Sequence, residues 1–109
     1  MKLTDELRYQ LLKHLEKNPE MSQRQMASEL GISLGKANYC LKSLIDKGWV
    51  KAGNFRRNPN KLQYGYLLTP KGIEEKAKVT LRFLKMKQDE YEHLQRELNE
   101  LRKEAAKLS

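Results

Sequence analysis

The chain has 109 residues, with 22 Lys+Arg against 14 Asp+Glu, a net charge of +8 and a single cysteine. That length suits one domain with an appended element and a modest core, and one cysteine excludes an internal disulfide framework. The opening "MKLTDELRYQLLKHL" has early acids and no continuous apolar run, so it is no signal peptide, and no stretch approaches the roughly 20 apolar residues of a membrane span; a soluble, cytoplasmic protein with no membrane partner is expected.

Leu3, Leu7, Leu11 and Leu15 form an i,i+4 row with Leu12 beside it, which is one apolar helix face. Thr4 caps its start, Asp5 and Glu6 suit its positive end, and Asn18-Pro19 ends it. "SQRQMASEL" opens a second helix with a capping-box pattern, Ser22 with Gln25 three residues later, and points Met26, Ala27 and Leu30 inward. Gly31 stops that helix and Ser33 caps a third, from about Leu34 to Lys47, which Gly48 stops. The period then changes. "WVK" reads as a short strand, "AGNFRRNPNK" as a loop, and "LQYGYLL" as a second strand with Tyr64, Tyr66 and Leu68 on one side. Thr69-Pro70 is an N-cap followed by proline at the first helical position. The last helix has no later proline and one glycine, Gly72, so it spans nearly forty residues.

That helix carries a seam at Ala77, Leu81, Leu84, Gln88, Tyr91, Leu94, Leu98, Leu101, Ala105 and Leu108, a heptad-like register interrupted by two consecutive three-residue steps around Tyr91. A single helix cannot bury so narrow a stripe. It needs a partner helix, most simply from a second copy, and Leu81, Leu84, Tyr91, Leu94, Leu98, Leu101, Ala105 and Leu108 are the expected dimer contacts. The alternative is a seam folded back on its own domain. The expected division is residues 1–69 as one domain and 70–109 as a coiled-coil-like dimerisation helix.

The third helix has two unlike faces. Ala37, Cys40, Leu41, Leu44 and Ile45 lie on one, and Lys36, Asn38, Tyr39 and Lys42 on the other, with no acid between Leu30 and Ile45. Residues 31–69 hold seven bases and one acid, whereas residues 1–30 are neutral, residues 70–87 hold six bases and two acids, and residues 88–109 hold four bases and six acids. A basic excess focused on the middle of the chain points to a polyanion. Two short helices joined by a glycine turn, the second one basic, suggest a helix-turn-helix.

The segment "SQRQMASELGISLGKANYCLKSLIDKGWVKAG", followed by a hairpin and "LLTPKG", resembles the winged helix-turn-helix of MarR-type bacterial transcription regulators. The short chain and "RRNPNKLQYGYLLTPKG" look like the regulators of that type associated with exopolysaccharide gene clusters. The resemblance spans roughly residues 5–90. It implies a mainly α, α+β fold with a two-stranded wing, a homodimer, and a double-stranded DNA partner. A small-molecule effector stays open.

A helix entering the major groove needs short polar groups for base edges and cations for phosphates. Gly35, Lys36, Asn38, Tyr39 and Lys42 meet that need, and positions 35, 38, 39 and 42 share a face. Asn38 suits a bidentate pair with adenine, Tyr39 a thymine methyl or a phosphate, and Lys36 and Lys42 phosphate or guanine. Ser33 and the helix N-terminus suit a phosphate. Ser22, Gln23 and Arg24, opening the second helix, are placed at the same interface. On the wing, Arg56, Arg57, Asn58, Asn60 and Lys61 either enter the minor groove or only touch phosphates. Phe55 either anchors the loop or is exposed.

"GISLGKA" is not a phosphate loop, since the glycine spacing is short and Ala37 stands where a Ser/Thr should bind magnesium. His14, His93 and one cysteine make no visible metal cluster. No nucleophile–base–acid constellation stands out, so neither an enzyme nor a cofactor is expected. Cys40 is read as an inward residue rather than a redox switch. A competing reading is a passive winged platform whose last helix forms a coiled coil with a different protein.

Overall fold

The computed structural model describes residues 3–58 and 61–109, and within the hairpin residues 54–58 and 61–64 by their backbone alone. The elements run α1 (Asp5–Lys17), α2 (Gln23–Leu30), α3 (Leu34–Asp46), β1 (Val50–Asn58), β2 (Lys61–Leu68) and α4 (Pro70–Leu108).

Local capping sets the helix starts. The Thr4 hydroxyl accepts from the Leu7 amide at 3.2 Å. Ser22 and Gln25 complete both bonds of the capping box at 3.1 Å. Ser33 accepts from the Lys36 amide at 3.0 Å. Each cap satisfies an amide that the first turn leaves without a helical partner. Gly31 ends α2 at φ 66°, a left-handed conformation that a Cβ disfavours. The Ile32 amide then bonds back to the Ala27 carbonyl at 3.0 Å and turns the chain into α3.

Leu11, Leu12 and Leu15 of α1, Met26 of α2, and Ala37, Cys40 and Leu44 of α3 have no exposed surface. Trp49, Val50 and Tyr66 from the hairpin and Val79 from α4 close the same core. Burying nine or more such side chains, each contributing about 1.5–3 kcal/mol, is what holds three short helices together.

The hairpin differs from its expected form. β1 continues through "AGNFRRN" to Asn58, and β2 begins at Lys61, so most of the expected loop is strand. Pairing is antiparallel from Val50↔Leu68 to Asn58↔Lys61, with a register shift between Arg56 and Asn58. Ladder hydrogen bonds override the turn-forming composition, because strand formation follows its cross-strand partners more than its own residues. The hairpin is tied to the helices where the Tyr66 amide donates to the Pro19 carbonyl at 2.8 Å.

α4 is 39 residues long, and the molecule extends 71 Å along its longest axis. The Thr69 hydroxyl caps it by accepting from the Gly72 amide at 3.0 Å, and also donates to the Gly48 carbonyl. A Cβ on Gly72 would lie 1.9 Å from the Trp49 carbonyl oxygen, so only glycine lets the first turn of α4 rest on the end of β1. The next turns lie along α1. Phe83 stacks on Tyr9 with ring centroids 5.2 Å apart. Arg82 donates two hydrogen bonds to Asp5 at 3.0 and 3.2 Å, and Lys76 pairs with Glu16 at 3.1 Å. Two basic groups of α4, Lys76 and Arg82, are thus answered by acids of α1. Beyond Phe83 every α4 residue is exposed. Among the described residues no helix is long and apolar enough to cross a membrane.

Candidate nucleic-acid interface

α2 and α3 pack against each other with Met26, Ala27, Ala37 and Cys40 buried, which leaves their other faces on one outer surface. Ala27 and Ala37 are small, and both are buried. With those residues inward, the 3.6-residue period sends Gly35, Asn38, Tyr39 and Lys42 outward, and all four are exposed. Ile45, expected with the inward set, is only half-buried at the helix edge, and the helix ends at Asp46 rather than Lys47.

Asn38 is held from outside its own helix. The Gln23 side-chain amide donates to Asn38 Oδ1 at 3.3 Å and to the Tyr66 hydroxyl at 3.1 Å. One amide therefore joins the start of α2, the middle of α3 and the wing strand β2. A carbonyl oxygen has two lone pairs, so Asn38 Oδ1 keeps one for an outside donor while its own amide N–H groups stay available. That leaves the acceptor–donor pair that matches the major-groove edge of adenine. Tyr66, read from the sequence only as sharing one side of its strand with Tyr64 and Leu68, is buried yet carries its hydroxyl to this relay. No local pattern announces it, because the partners lie 15 and 43 residues apart.

Gly35 is informative for what surrounds it. A Cβ there would meet nothing within 4 Å, and its backbone is ordinary helix. The protein's own packing therefore does not require glycine, although glycine weakens a helix by up to about 1 kcal/mol relative to alanine. What glycine leaves here is a helix surface without a side chain, open to solvent.

Lys36 sits to one side. It is half-buried and lines a recess of about 370 Å³ with Thr4, Gln10 and His14 of the α1 region and Glu29 of α2. It thus flanks the outer face of α3 that Gly35, Asn38, Tyr39 and Lys42 form. Tyr39 and Lys42 border a shallow hollow of about 400 Å³ on the opposite flank, with Asp46 at its far end. Ser22 and Arg24 are exposed at the start of α2, and Ser33 is exposed at the start of α3. The backbone of β1 and β2 carries Arg56, Arg57, Asn58 and Lys61, but their side chains, like that of Phe55, fall outside the described residues, as does Asn60 altogether. Cys40 has no exposed surface, and burial pushes its thiol up while Lys36 pulls it slightly down, which keeps it in the unreactive thiol form. Among the described residues no group of three or more His, Cys, Asp or Glu is placed to hold a metal ion.

Residues 4–51 match a family model described as winged helix-turn-helix DNA-binding. The fold is a winged helix-turn-helix. Solved structures agree. The chain is similar to the PcaV transcriptional regulator of Streptomyces coelicolor, determined with its natural ligand, at a TM-score of 0.61 and 18% identity over 74% of this chain and 56% of that one. It is similar to Staphylococcus aureus MarR, determined with salicylate and kanamycin, at a TM-score of 0.56 and 26% identity over 74% and 53%. It is similar to Streptococcus pneumoniae FabT, determined with DNA, at a TM-score of 0.54 and 22% identity over 76% and 56%. The chain thus spans just over half the length of each. A search of curated protein sequences returned no match.

Proposed function

We propose that this protein is a sequence-specific, double-stranded DNA-binding transcription regulator of the MarR type that acts as a homodimer on an inverted repeat. The observation that carries the reading is the outer face of α3. It is exposed and carries no acid before Asp46 at its last turn, and Asn38 is held in place on it by Gln23. In this reading α3 enters the major groove, with Gly35 against the duplex, Asn38 and Tyr39 at base edges, and Lys36 and Lys42 at phosphates. Ser22, Arg24 and Ser33 meet the backbone through helix N-termini, where amide groups favour phosphate. The wing, with Arg56, Arg57, Asn58 and Lys61, lies over the adjacent minor groove. The match of residues 4–51 to a DNA-binding winged helix-turn-helix, and the likeness to FabT, determined with DNA, support this assignment.

Dimer formation is supported by exposed apolar surface. Leu81, Leu84, Tyr91, Leu94, Leu98, Leu101 and Leu108 are between 39% and 88% exposed in the single chain. The accessible surface is 7940 Å², against about 6,300 Å² for a compact chain of this mass. The excess exceeds the ~800 Å² that each partner buries in a standard interface. In this reading residues 1–69 form the DNA-binding head and residues 70–109 the dimerising helix, whose first turns also close the core of the head. The likeness of "RRNPNKLQYGYLLTPKG" to exopolysaccharide-associated regulators makes such gene clusters the proposed place to seek the operator.

Titration with duplex DNA at several salt concentrations tests the proposal. Affinity should fall with salt at a log–log slope of about 0.9 per phosphate contact. Selection from random duplexes should return two half-sites about 10–10.5 bp apart, or a multiple of that. Arg57→Ala should weaken binding to every sequence alike and lower the salt slope by about 1. A protein indifferent to all duplexes in dilute buffer would end the proposal and leave the coiled coil with a different protein as the better reading.

A further inference from the structure

We infer that the α4 helices of two copies pair antiparallel, with the two-fold axis beside Tyr91. This rests on the homodimer proposed above and adds its geometry. Outward from Tyr91 the seam is a mirror image of itself. Toward the N-terminus the steps are 3, 4, 3 and 4, to Gln88, Leu84, Leu81 and Ala77. Toward the C-terminus they are again 3, 4, 3 and 4, to Leu94, Leu98, Leu101 and Ala105.

Antiparallel pairing about Tyr91 uses that mirror. It sets Leu84 opposite the partner's Leu98, Leu81 opposite the partner's Leu101, and Ala77 opposite the partner's Ala105. Leucine meets leucine and alanine meets alanine, and only Gln88 meets an unlike residue, the partner's Leu94. The heptad registers on the two sides of Tyr91 are out of phase, so an a position of one half faces a d position of the other. A parallel pair sets every residue opposite its own copy and draws no benefit from mirror spacing. The two consecutive three-residue steps overwind each helix locally in either orientation, so the mirror spacing, not the overwinding, separates the two.

The protomer leaves this face free. The winged domain grips α4 through Gly72, Val79 and Phe83, and the seam lies on the opposite side, with Leu81 67% and Leu84 51% exposed. Next to Ile73, Ala77 and Leu81 an apolar groove of about 400 Å³ runs along the first turns of α4. The partner's Leu108, 88% exposed in the single chain, falls at the level of Ile73, itself 58% exposed. Flanking charges do not choose the orientation. Parallel pairing brings Glu97 near the partner's Arg102, and antiparallel pairing brings Lys87 near the partner's Glu97, and exposed pairs of either kind contribute only about 0–1 kcal/mol.

The geometry also fits the duplex. Val79, where the domain holds α4, lies 12 residues before Tyr91. The partner's Val79 therefore stands 24 residues of helix away, a rise of about 36 Å along the rod. One turn of B-DNA separates half-sites by about 34–36 Å. Parallel helices would put both heads at one end, level with each other.

Disulfide trapping in the full-length protein with Cys40→Ala tests the orientation. Leu81→Cys and Leu101→Cys proteins are oxidised separately and after mixing and re-equilibration, with sedimentation run on the unsubstituted protein. The expected result is a covalent dimer containing one copy of each variant as the main product of the mixture, with each variant alone staying uncrosslinked. Self-crosslinking of either variant, or a sedimenting dimer whose mixture fails to crosslink, would overturn the antiparallel arrangement and leave the dimer standing. A protein that sediments as a monomer at micromolar concentration would overturn the dimer and this arrangement with it.

Discussion

Replacing Gly35 with alanine separates folding from recognition more sharply than any other change on α3. The added methyl meets no atom within 4 Å, and the residue already has helical backbone angles, so the substitution introduces neither clash nor strain. Alanine is favoured over glycine by about 0.8–1.0 kcal/mol in a helix interior. Gly35 is the second residue of α3, where the first turn is only partly formed, so the gain should fall below that ceiling. At 4–8 °C per kcal/mol for a domain of about this size, thermal unfolding should move up by roughly 2–5 °C. DNA binding should move the other way. A methyl on a surface that lies close against the duplex opens the gap, and an overpacked contact costs typically 1–3 kcal/mol, which is about 5- to 150-fold in Kd. The assay is thermal denaturation followed by fluorescence anisotropy on a selected duplex at fixed salt. A variant that is more stable yet binds with unchanged affinity would show that Gly35 does not face the DNA. A variant that is less stable would show that the open space at this position is misjudged.

Other changes probe neighbouring links. Asn38→Ala should cost about 1–3 kcal/mol on the preferred duplex and flatten the ranking at one base pair per half-site; an unchanged ranking would remove its base-reading role. Gln23→Ala should loosen the same base preference by a smaller factor while leaving the α2 cap intact, since Ser22 and Gln25 make that cap without it; selection on random duplexes reads both. Gly72→Ala must move the Trp49 carbonyl or the first turn of α4 to relieve a 1.9 Å contact, so a loss of at least about 1–3 kcal/mol is expected in urea denaturation. Hydrogen bonds from Arg82, together with the charges of Arg82 and Arg8, hold the Asp5 carboxyl below its ordinary range. A lowered carboxyl stabilises the fold above the unfolded-state value of about 3.9 and loses that contribution as pH falls through its folded-state value. Both side chains are partly exposed, so Asp5→Asn should cost no more than about 1 kcal/mol at pH 7, and the difference from the unsubstituted protein should shrink under acid.

Whatever depends on near neighbours in the chain could be read without coordinates. The caps at Thr4, Ser22, Ser33 and Thr69 and the glycine stop at Gly31 are local hydrogen-bonding and steric facts, complete within four residues. The outward turn of Asn38 and Tyr39 is equally local, because burying Ala37, Cys40, Leu41 and Leu44 leaves the helix period no other choice. The mirror spacing of α4 about Tyr91 also lies in the sequence, and helical rise alone converts it into distance. Tertiary structure decided what distant segments do to one another. The strands outgrew the loop expected of "AGNFRRNPNK" because each supplied the other's hydrogen bonds. Gln23 meets both Asn38 and Tyr66 only after the helices and the wing have packed. Gly72 is required by a Trp49 carbonyl more than twenty residues earlier. The face of α4 that stays exposed is set by Val79 and Phe83 turning the other way, toward the head. Periodicity and capping are properties of a few consecutive residues, whereas contact between segments exists only once loop entropy has been overcome and the core has closed.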